Sequence, residues 1–242
     1  MKKNLKAVII TASILLAVTL IAACSLYFGL IHINNPELNG FTVKGVDVSS
    51  YQGNIDWPLL ASQDIDFAYI KATEGSSSKD RYFSQNWQEA SQTGIRIGAY
   101  HFFSFESAGQ TQAQNFIDMV DPVDNMLPPV IDVEYYGSFT SEDTIDVGAV
   151  RKELRTMVDI LTEEYGMKPV IYVSESSYKT IVKDAFEDCG LWYRSVYSKV
   201  PGDVDWMFWQ YSNRHRLKGY DGKEAYIDMN VFAGNKEEFI KY

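Results

Sequence analysis

From Val43 onward, short β-branched and aromatic runs alternate with amphipathic stretches, and in the last third of the chain that alternation stops. Strand character marks Val43–Ser49, Asp66–Thr73, Ile95–Phe102, Pro129–Tyr135, Pro169–Ser174, Leu191–Tyr197, Asp205–Ser212 and Tyr226–Phe232. Helical periodicity fits Trp57–Ser62, Tyr82–Thr93, Ala108–Val120, Asp146–Tyr165 and Ser177–Phe186. Gly94 and Gly166 stand where helix C-terminal caps belong, and Pro169 marks the start of the next strand. Such alternation predicts parallel strands with helices packed outside them. The end of the chain departs from it. Ser198–Val204 is shorter than the dozen or so residues of a parallel crossover, and Asn213–Ala225 is polar, turn-rich and without helical period. Five helices therefore serve eight strands, and the last strands are expected to be joined by loops or hairpins. Eight strands close most simply into a barrel. The fold class is α/β, an incomplete TIM-like barrel whose acting residues belong at the C-terminal strand ends.

The first forty residues are a different material. Lys2, Lys3 and Lys6 precede 25 uncharged, mostly apolar residues from Ala7 to Ile31, long enough to cross a bilayer as a helix. Lysines before the run and none just after it place the N-terminus in the cytoplasm and the rest outside. The expected organisation is a basic cytoplasmic tip (1–6), a single membrane span (7–31), a polar linker (32–42) and a barrel (43–242). Two other readings exist. Ile21-Ala22-Ala23-Cys24 has the form of a lipoprotein processing box, with Cys24 as the lipid carrier, and Ala23-Cys24-Ser25 has the form of an ordinary cleavage site. Leu26–Ile31 stays apolar beyond either cut, which favours the uncleaved anchor. All three readings put the barrel outside the cytoplasm.

The whole chain carries a net charge of −10, and since its first forty residues hold three lysines and one glutamate, the remainder carries −12. An acidic surface of this kind excludes a nucleic-acid partner, which needs a basic field against phosphate. Two cysteines and three histidines are too few for a disulfide framework or a zinc cluster of Cys and His. Cys189 is expected to be structural.

The most informative segment is Leu127–Tyr136. In a strand, residues two apart point the same way, so Asp132 and Glu134 share one face and Ile131 and Val133 the other. The apolar face belongs against helices, which turns the acids into the barrel. Two carboxylates this close cannot both ionise cheaply, so one should hold its proton near neutral pH. Glycoside hydrolysis asks for such a pair. A bare Asp-x-Glu is more often a solvated or salt-bridged strand face. Here Asp47 in the first strand and Asp228 in the last are also flanked by apolar residues, and first and last strands of a closed barrel are neighbours. Four inward acids without a matching set of lysines are costly unless they act on something.

Five ordered motifs carry a resemblance. They are Gly45-Val46-Asp47-Val48-Ser49-Ser50-Tyr51-Gln52-Gly53, Ile70-Lys71-Ala72-Thr73-Glu74-Gly75, Gly98-Ala99-Tyr100-His101-Phe102, Ile131-Asp132-Val133-Glu134 and Trp209-Gln210-Tyr211-Ser212. From about Gly45 to about Gly234 the chain resembles glycoside hydrolase family 25, the lysozymes (N-acetylmuramidases) of bacteria and phages. The resemblance implies a (β/α)5(β)3 barrel and hydrolysis of the β-1,4 bond between N-acetylmuramic acid and N-acetylglucosamine in peptidoglycan, without a cofactor. It implies Glu134 as general acid/base and Asp132 as its partner, either as nucleophile or by orienting the substrate's acetamido group. Asp132 and Glu134 sit awkwardly for attack from opposite faces, which favours substrate assistance. Asp47 and Asp228 are implied as flanking acids that tune the pair and hold the sugar.

Among the aromatics near strand ends, Tyr100 and Tyr172 share faces with Gly98 and Ser174 and are candidate substrate contacts, whereas Phe102 and Trp192 read as core. Trp209 is a candidate glycan platform, with Gln210 beside it. Lys71 is expected either to bind substrate or to neutralise an acid; Glu74, followed by Gly75, reads equally as a site residue or a turn residue, and His101 as a hydrogen-bonded core histidine. Clustered carboxylates also suit Mg²⁺ or Ca²⁺, so a metal-dependent hydrolase is one alternative, and a catalytically idle glycan-binding scaffold is another. No repeated wall-binding module follows the barrel, so targeting is expected to come from the anchor or from partners in an envelope or secretion complex.

Overall fold

The computed structural model describes residues 2–31, 34, 36 and 40–241, which divide into two compact units, Met1–Ile33 and Asn34–Tyr242. Most of the linker expected at 32–42 lies outside the described residues.

The first unit is one helix, α1 (Lys2–Tyr27). It starts before the apolar run and ends four residues short of Ile31, because Gly29 adopts φ +63°. Leu30 N–H then donates to the Ser25 carbonyl (2.8 Å) and Gly29 N–H to that of Leu26 (3.2 Å), the paired bonds of a glycine-terminated helix. From Leu5 to Tyr27 it offers 23 residues of mean hydropathy 2.6, none of them buried. At 1.5 Å per residue that is about 35 Å, long enough to cross a hydrocarbon layer of about 30 Å.

In the second unit the β-branched runs become β1 (Lys44–Val48), β2 (Phe67–Glu74), β3 (Ser78–Lys79), β4 (Arg96–Phe102), β5 (Val130–Val133), β6 (Val170–Val173), β7 (Gly190–Arg194), β8 (Phe208–His215) and β9 (Ile227–Phe232). Eight of them form a closed ring in the order β1-β2-β4-β5-β6-β7-β8-β9, with β9 returning to β1; β3 is a short hairpin arm on β2. All neighbours in the ring are parallel except β9, which runs against both β8 and β1. The barrel is thus the one the strand–helix pattern predicts. The β7–β8 connection differs in one respect. β7 ends three residues before its sequence run does and β8 starts three residues after its own, which leaves residues 195–207 free, enough chain for a parallel crossover without a helix.

Five helical segments sit where periodicity places them: α2 (Trp57–Ala61), α3 (Phe83–Ala90), α4 (Gly109–Ile117), α5 (Val147–Tyr165) and α6 (Glu175–Ser177), which runs on into a π turn at Tyr178–Val182. Asp56 and Asp146 cap α2 and α5, each accepting a bond from a backbone N–H of the first turn at 3.0 Å. Gly166 ends α5 in the left-handed conformation, φ +68°. Gly94 has no such role: α3 stops at Ala90, and Ser91 is its C-cap.

Two apolar layers result. Ile131, Val133, Leu154, Val158 and Phe116 belong to the layer between barrel and helices. Inside the ring, Phe67, Tyr69, Trp192 and Phe208 fill its lower half. A short helix absent from the sequence reading, α7 (Lys236–Lys241), seats Phe239 on Phe67 and Phe232, at centroid distances of 5.5 and 5.3 Å. The lower half is so crowded that a Cβ on Gly98 would lie 2.3 Å from the Tyr69 ring. Gly98→Ala is therefore expected to cost about 1–3 kcal/mol through overpacking, read as a lower denaturation midpoint at unchanged m.

Candidate active site

Strand ends carry the acids into one cleft of about 520 Å³, opposite the plugged half of the barrel. Asp47 on β1 and Asp228 on β9 are directly paired across the antiparallel ladder, and their carboxyls share a hydrogen bond. Asp47 Oδ2 accepts from Gln210 Nε2 (2.9 Å) and Asn230 Nδ2 (2.8 Å), and Gln210 Nε2 also reaches Asp228 Oδ2 at 3.3 Å. Both amides are held in that orientation from behind. Tyr172 donates its hydroxyl to Gln210 Oε1 (2.9 Å), and the Trp192 indole, a donor only, bonds Asn230 Oδ1 (2.9 Å). Burial raises the pKa of both acids, and for Asp228 the neighbouring Asp47 charge adds to it, whereas the amide donors pull Asp47 back. The amide donors thus favour the charged form of Asp47 over that of Asp228.

Asp132 sits on β5 in register with Phe102 of β4 and Tyr172 of β6; Glu134 lies one residue past the strand end. Ile131 and Val133 are fully buried on the opposite face. Burial lifts the Asp132 pKa well above the carboxylate range, and the Glu134 charge lifts it further against an opposing effect of Lys71. Glu134 is also raised by burial, partly offset by Arg194. Asp132 Oδ1 is buried without a hydrogen-bond partner among the described residues. A buried orphan acceptor in a negative cleft is costly, and a donor on an incoming molecule removes the cost.

Residues 46–220 match the profile of Glycosyl hydrolases family 25. The chain belongs to that family. Its structure is similar to that of a family 25 glycosyl hydrolase from Bacillus anthracis, at 48% identity and a TM-score of 0.81, covering 88% of this chain and 97% of that one. It is also similar to the bacterial lysozyme of Streptomyces coelicolor, at 32% identity and a TM-score of 0.73, over 82% and 95% of the two chains. Lysozyme M1 of Streptomyces globisporus is 34% identical over 214 residues, 82% of this chain and 70% of that protein. The chain is accordingly a glycoside hydrolase.

The walls of this family 25 cleft follow from strand parity. Tyr100, Tyr172, Lys71 and Gln210 all line it. Lys71 and Glu74 are three apart and on a regular strand would face opposite ways. A bulge between Lys71 and Thr73 shifts β2 by one residue, so that Lys71 registers with Tyr100 and Glu74 with Phe102. Both therefore face the cleft and pair at 2.7 Å. Of the two readings of Glu74, site or turn, the structure has it as the last member of the strand, lining the cleft. Phe102, expected in the core, is half-exposed on the cleft wall beneath the Lys71 ammonium, 5.1 Å from its ring.

Trp209 is the clearest correction. It lies between Phe208 and Gln210, whose side chains turn into the barrel, so it turns outward. It is 2% exposed in the outer layer, its indole bonded to the Ser195 carbonyl at 2.9 Å, and it cannot serve as a glycan platform. Trp192, read as core, is buried and also forms part of the cleft floor. His101 is buried beside Thr73 Oγ1 (2.7 Å from Nδ1) and Gln112 Oε1 (3.1 Å from Nε2), with its pKa pushed down to about 4 by burial. The Thr73 hydroxyl donates to Nδ1 and Nε2–H donates to Gln112, which fixes a neutral ring outside the cleft. Cys189 is half-buried with its thiol pushed up to about 11, mainly by burial, and is inert as a nucleophile.

Arg194 and Asn230 escaped the sequence reading. Arg194 follows Trp192 by two and Asn230 follows Asp228 by two, so both share an inward face with a residue already noted. That parity was the available signal.

Proposed function

We propose that this chain hydrolyses the β-1,4 bond between N-acetylmuramic acid and N-acetylglucosamine of peptidoglycan, with retention of configuration. The observation that carries the reading is the unpaired, buried Oδ1 of Asp132 beside Glu134, whose carboxyl has no hydrogen-bond partner among the described residues. Glu134 protonates the departing glycosidic oxygen. The oxygen of the sugar's acetamido group attacks the anomeric carbon as that bond breaks. Asp132 accepts the acetamido N–H, a donor that favours its charged form and leaves the proton of the pair on Glu134, and it offsets the positive charge developing there. Glu134, now ionised, takes a proton from the water that reopens the ring at the same face. Two carboxyls two residues apart on one strand lie side by side, which suits this substrate-assisted route better than attack from the opposite face of the sugar.

Asp47 and Asp228 hold sugar hydroxyls and keep the cleft negative, while Tyr100, Tyr172, Lys71 and Gln210 contact the glycan. Asp47 is already bound by two amide N–H groups, an arrangement that holds an anion and leaves few lone pairs for a cation. The apolar α1 supports a single-pass anchor with the barrel on the outer side of the membrane. Relatives described as lysozymes support the substrate.

Mass spectrometry of fragments released from purified peptidoglycan tests the reaction. New reducing ends on N-acetylmuramic acid are expected, formed equally in excess chelator. Reducing N-acetylglucosamine ends, or binding of glycan with no fragments released, would refute it.

A further inference from the structure

Beside the catalytic cleft lies a second pocket of about 390 Å³, and the two share Ser49, Tyr51, Lys71 and Glu74 on their common rim. Its character is opposite to that of the molecule. The body carries −12, yet Lys79, Arg81 and Lys223 meet here, all exposed and none in an ion pair among the described residues. The carboxylates nearby are already engaged. Glu74 pairs with Lys71, and Asp80 accepts from the backbone N–H groups of Ser50 (2.8 Å) and Tyr82 (2.9 Å).

Two separate chain segments deliver these cations, Lys79 and Arg81 from one and Lys223 from the other. Lys79 is placed by the β2–β3 hairpin, in register with Thr73. Arg81 lies over the Tyr82 ring, 5.0 Å from its centroid. Lys223 follows Gly222, whose N–H donates to the Gln52 carbonyl at 2.8 Å. At Gly222 a Cβ would sit 2.1 Å from the Tyr51 carbonyl oxygen, so only glycine lets the β8–β9 loop close on the β1–α2 loop there. Like charges gathered on a built surface repel one another unless an anion joins them.

Given the proposed function, on which this inference rests, the sugars in the cleft are uncharged and the anionic groups of the substrate hang from the muramyl residues. We propose that the pocket binds the carboxylates of the stem peptide, so that the enzyme selects glycan carrying charged stems. The contact lies away from the reacting bond and strengthens ground state and transition state alike, so it enters through KM.

The test compares peptide-bearing glycan with the same glycan after its stem carboxylates have been converted to amides, which keeps the bulk and removes the charge. Wild type is expected to show about a tenfold higher kcat/KM on the charged form, falling in 0.5 M NaCl as screening predicts. In the combined variant Lys79→Ala, Arg81→Ala, Lys223→Ala that ratio is expected to fall to about one, through KM. A wild-type ratio near one overturns the proposal without recourse to any variant, and a ratio that persists in the variant overturns it as well. Wild type inert on both substrates would instead remove the hydrolase reading beneath it.

Discussion

Glu134→Gln is expected to lower kcat by about a thousandfold or more while leaving the fold intact. The same carboxyl gives a proton in the first step and takes one in the second, and an amide does neither. Its environment also sets the pH dependence of the wild type. Burial and the Asp47 charge raise the Glu134 pKa, and Arg194 opposes them. The first step needs the protonated form, so activity should persist above the ordinary glutamic acid range and decline on the alkaline side as this group loses its proton. Release of reducing ends from peptidoglycan against pH, with circular dichroism as the control for folding, measures both. Undiminished turnover by Glu134→Gln would overturn the assignment of the acid.

Asp132→Asn is expected to lower kcat by about 10²–10³ and to raise stability at neutral pH. The activity loss follows because an amide carries no charge to set against the developing positive acetamido group. The stability gain follows from linkage. Burial and Glu134 hold the folded pKa of Asp132 above its unfolded value. The folded state therefore binds this proton more tightly than the unfolded state. Stability is greatest below the unfolded value of about 3.9 and declines as pH climbs through the folded pKa. Removing the group removes that penalty, so the variant is expected to melt at a higher temperature than the wild type at neutral pH. The gain should vanish as pH falls towards 4. Thermal melts of both proteins at pH 4 and pH 7 measure it, and a lower melting temperature for the variant at neutral pH would contradict the argument. An enzyme that becomes more stable when it loses its function is one whose site was held at a cost elsewhere in the fold.

Much of the barrel was legible in the chain because strands and helices leave different periods. Eight β-rich runs and five amphipathic ones appear in the structure as strands and helices, shifted by a few residues at most ends. The β7–β8 link was misjudged because strand ends do not show in composition: the run Leu191–Tyr197 stops pairing at Arg194, and the freed residues complete a parallel crossover. Helix α7 escaped because six residues are too few to display a period, and its place depends on the aromatic plug that Phe239 completes.

Within the site, a side chain's direction was readable wherever a strand is regular. Asp132 beside Ile131 and Val133 is such a case, and so is Asp228 with Asn230 two positions on, had the rule been carried one step further. Trp209 was misread for the opposite reason: a motif drew attention to a residue whose parity turns it outward.

The alternation that builds a β/α barrel, the apolar helix before it and the turning of four acids towards one interior are all written locally in the chain. They are decided by the two-residue period of a strand and the length of an apolar run. The balance of proton affinity between Asp47 and Asp228 instead depends on Gln210, Asn230, Tyr172 and Trp192 arriving from other strands. The tertiary structure alone also brought Glu74 into the cleft, through a bulge, and gathered Lys79, Arg81 and Lys223 at one pocket. Electrostatic energies are set by distances in space, and no residue's spacing along the chain reports them.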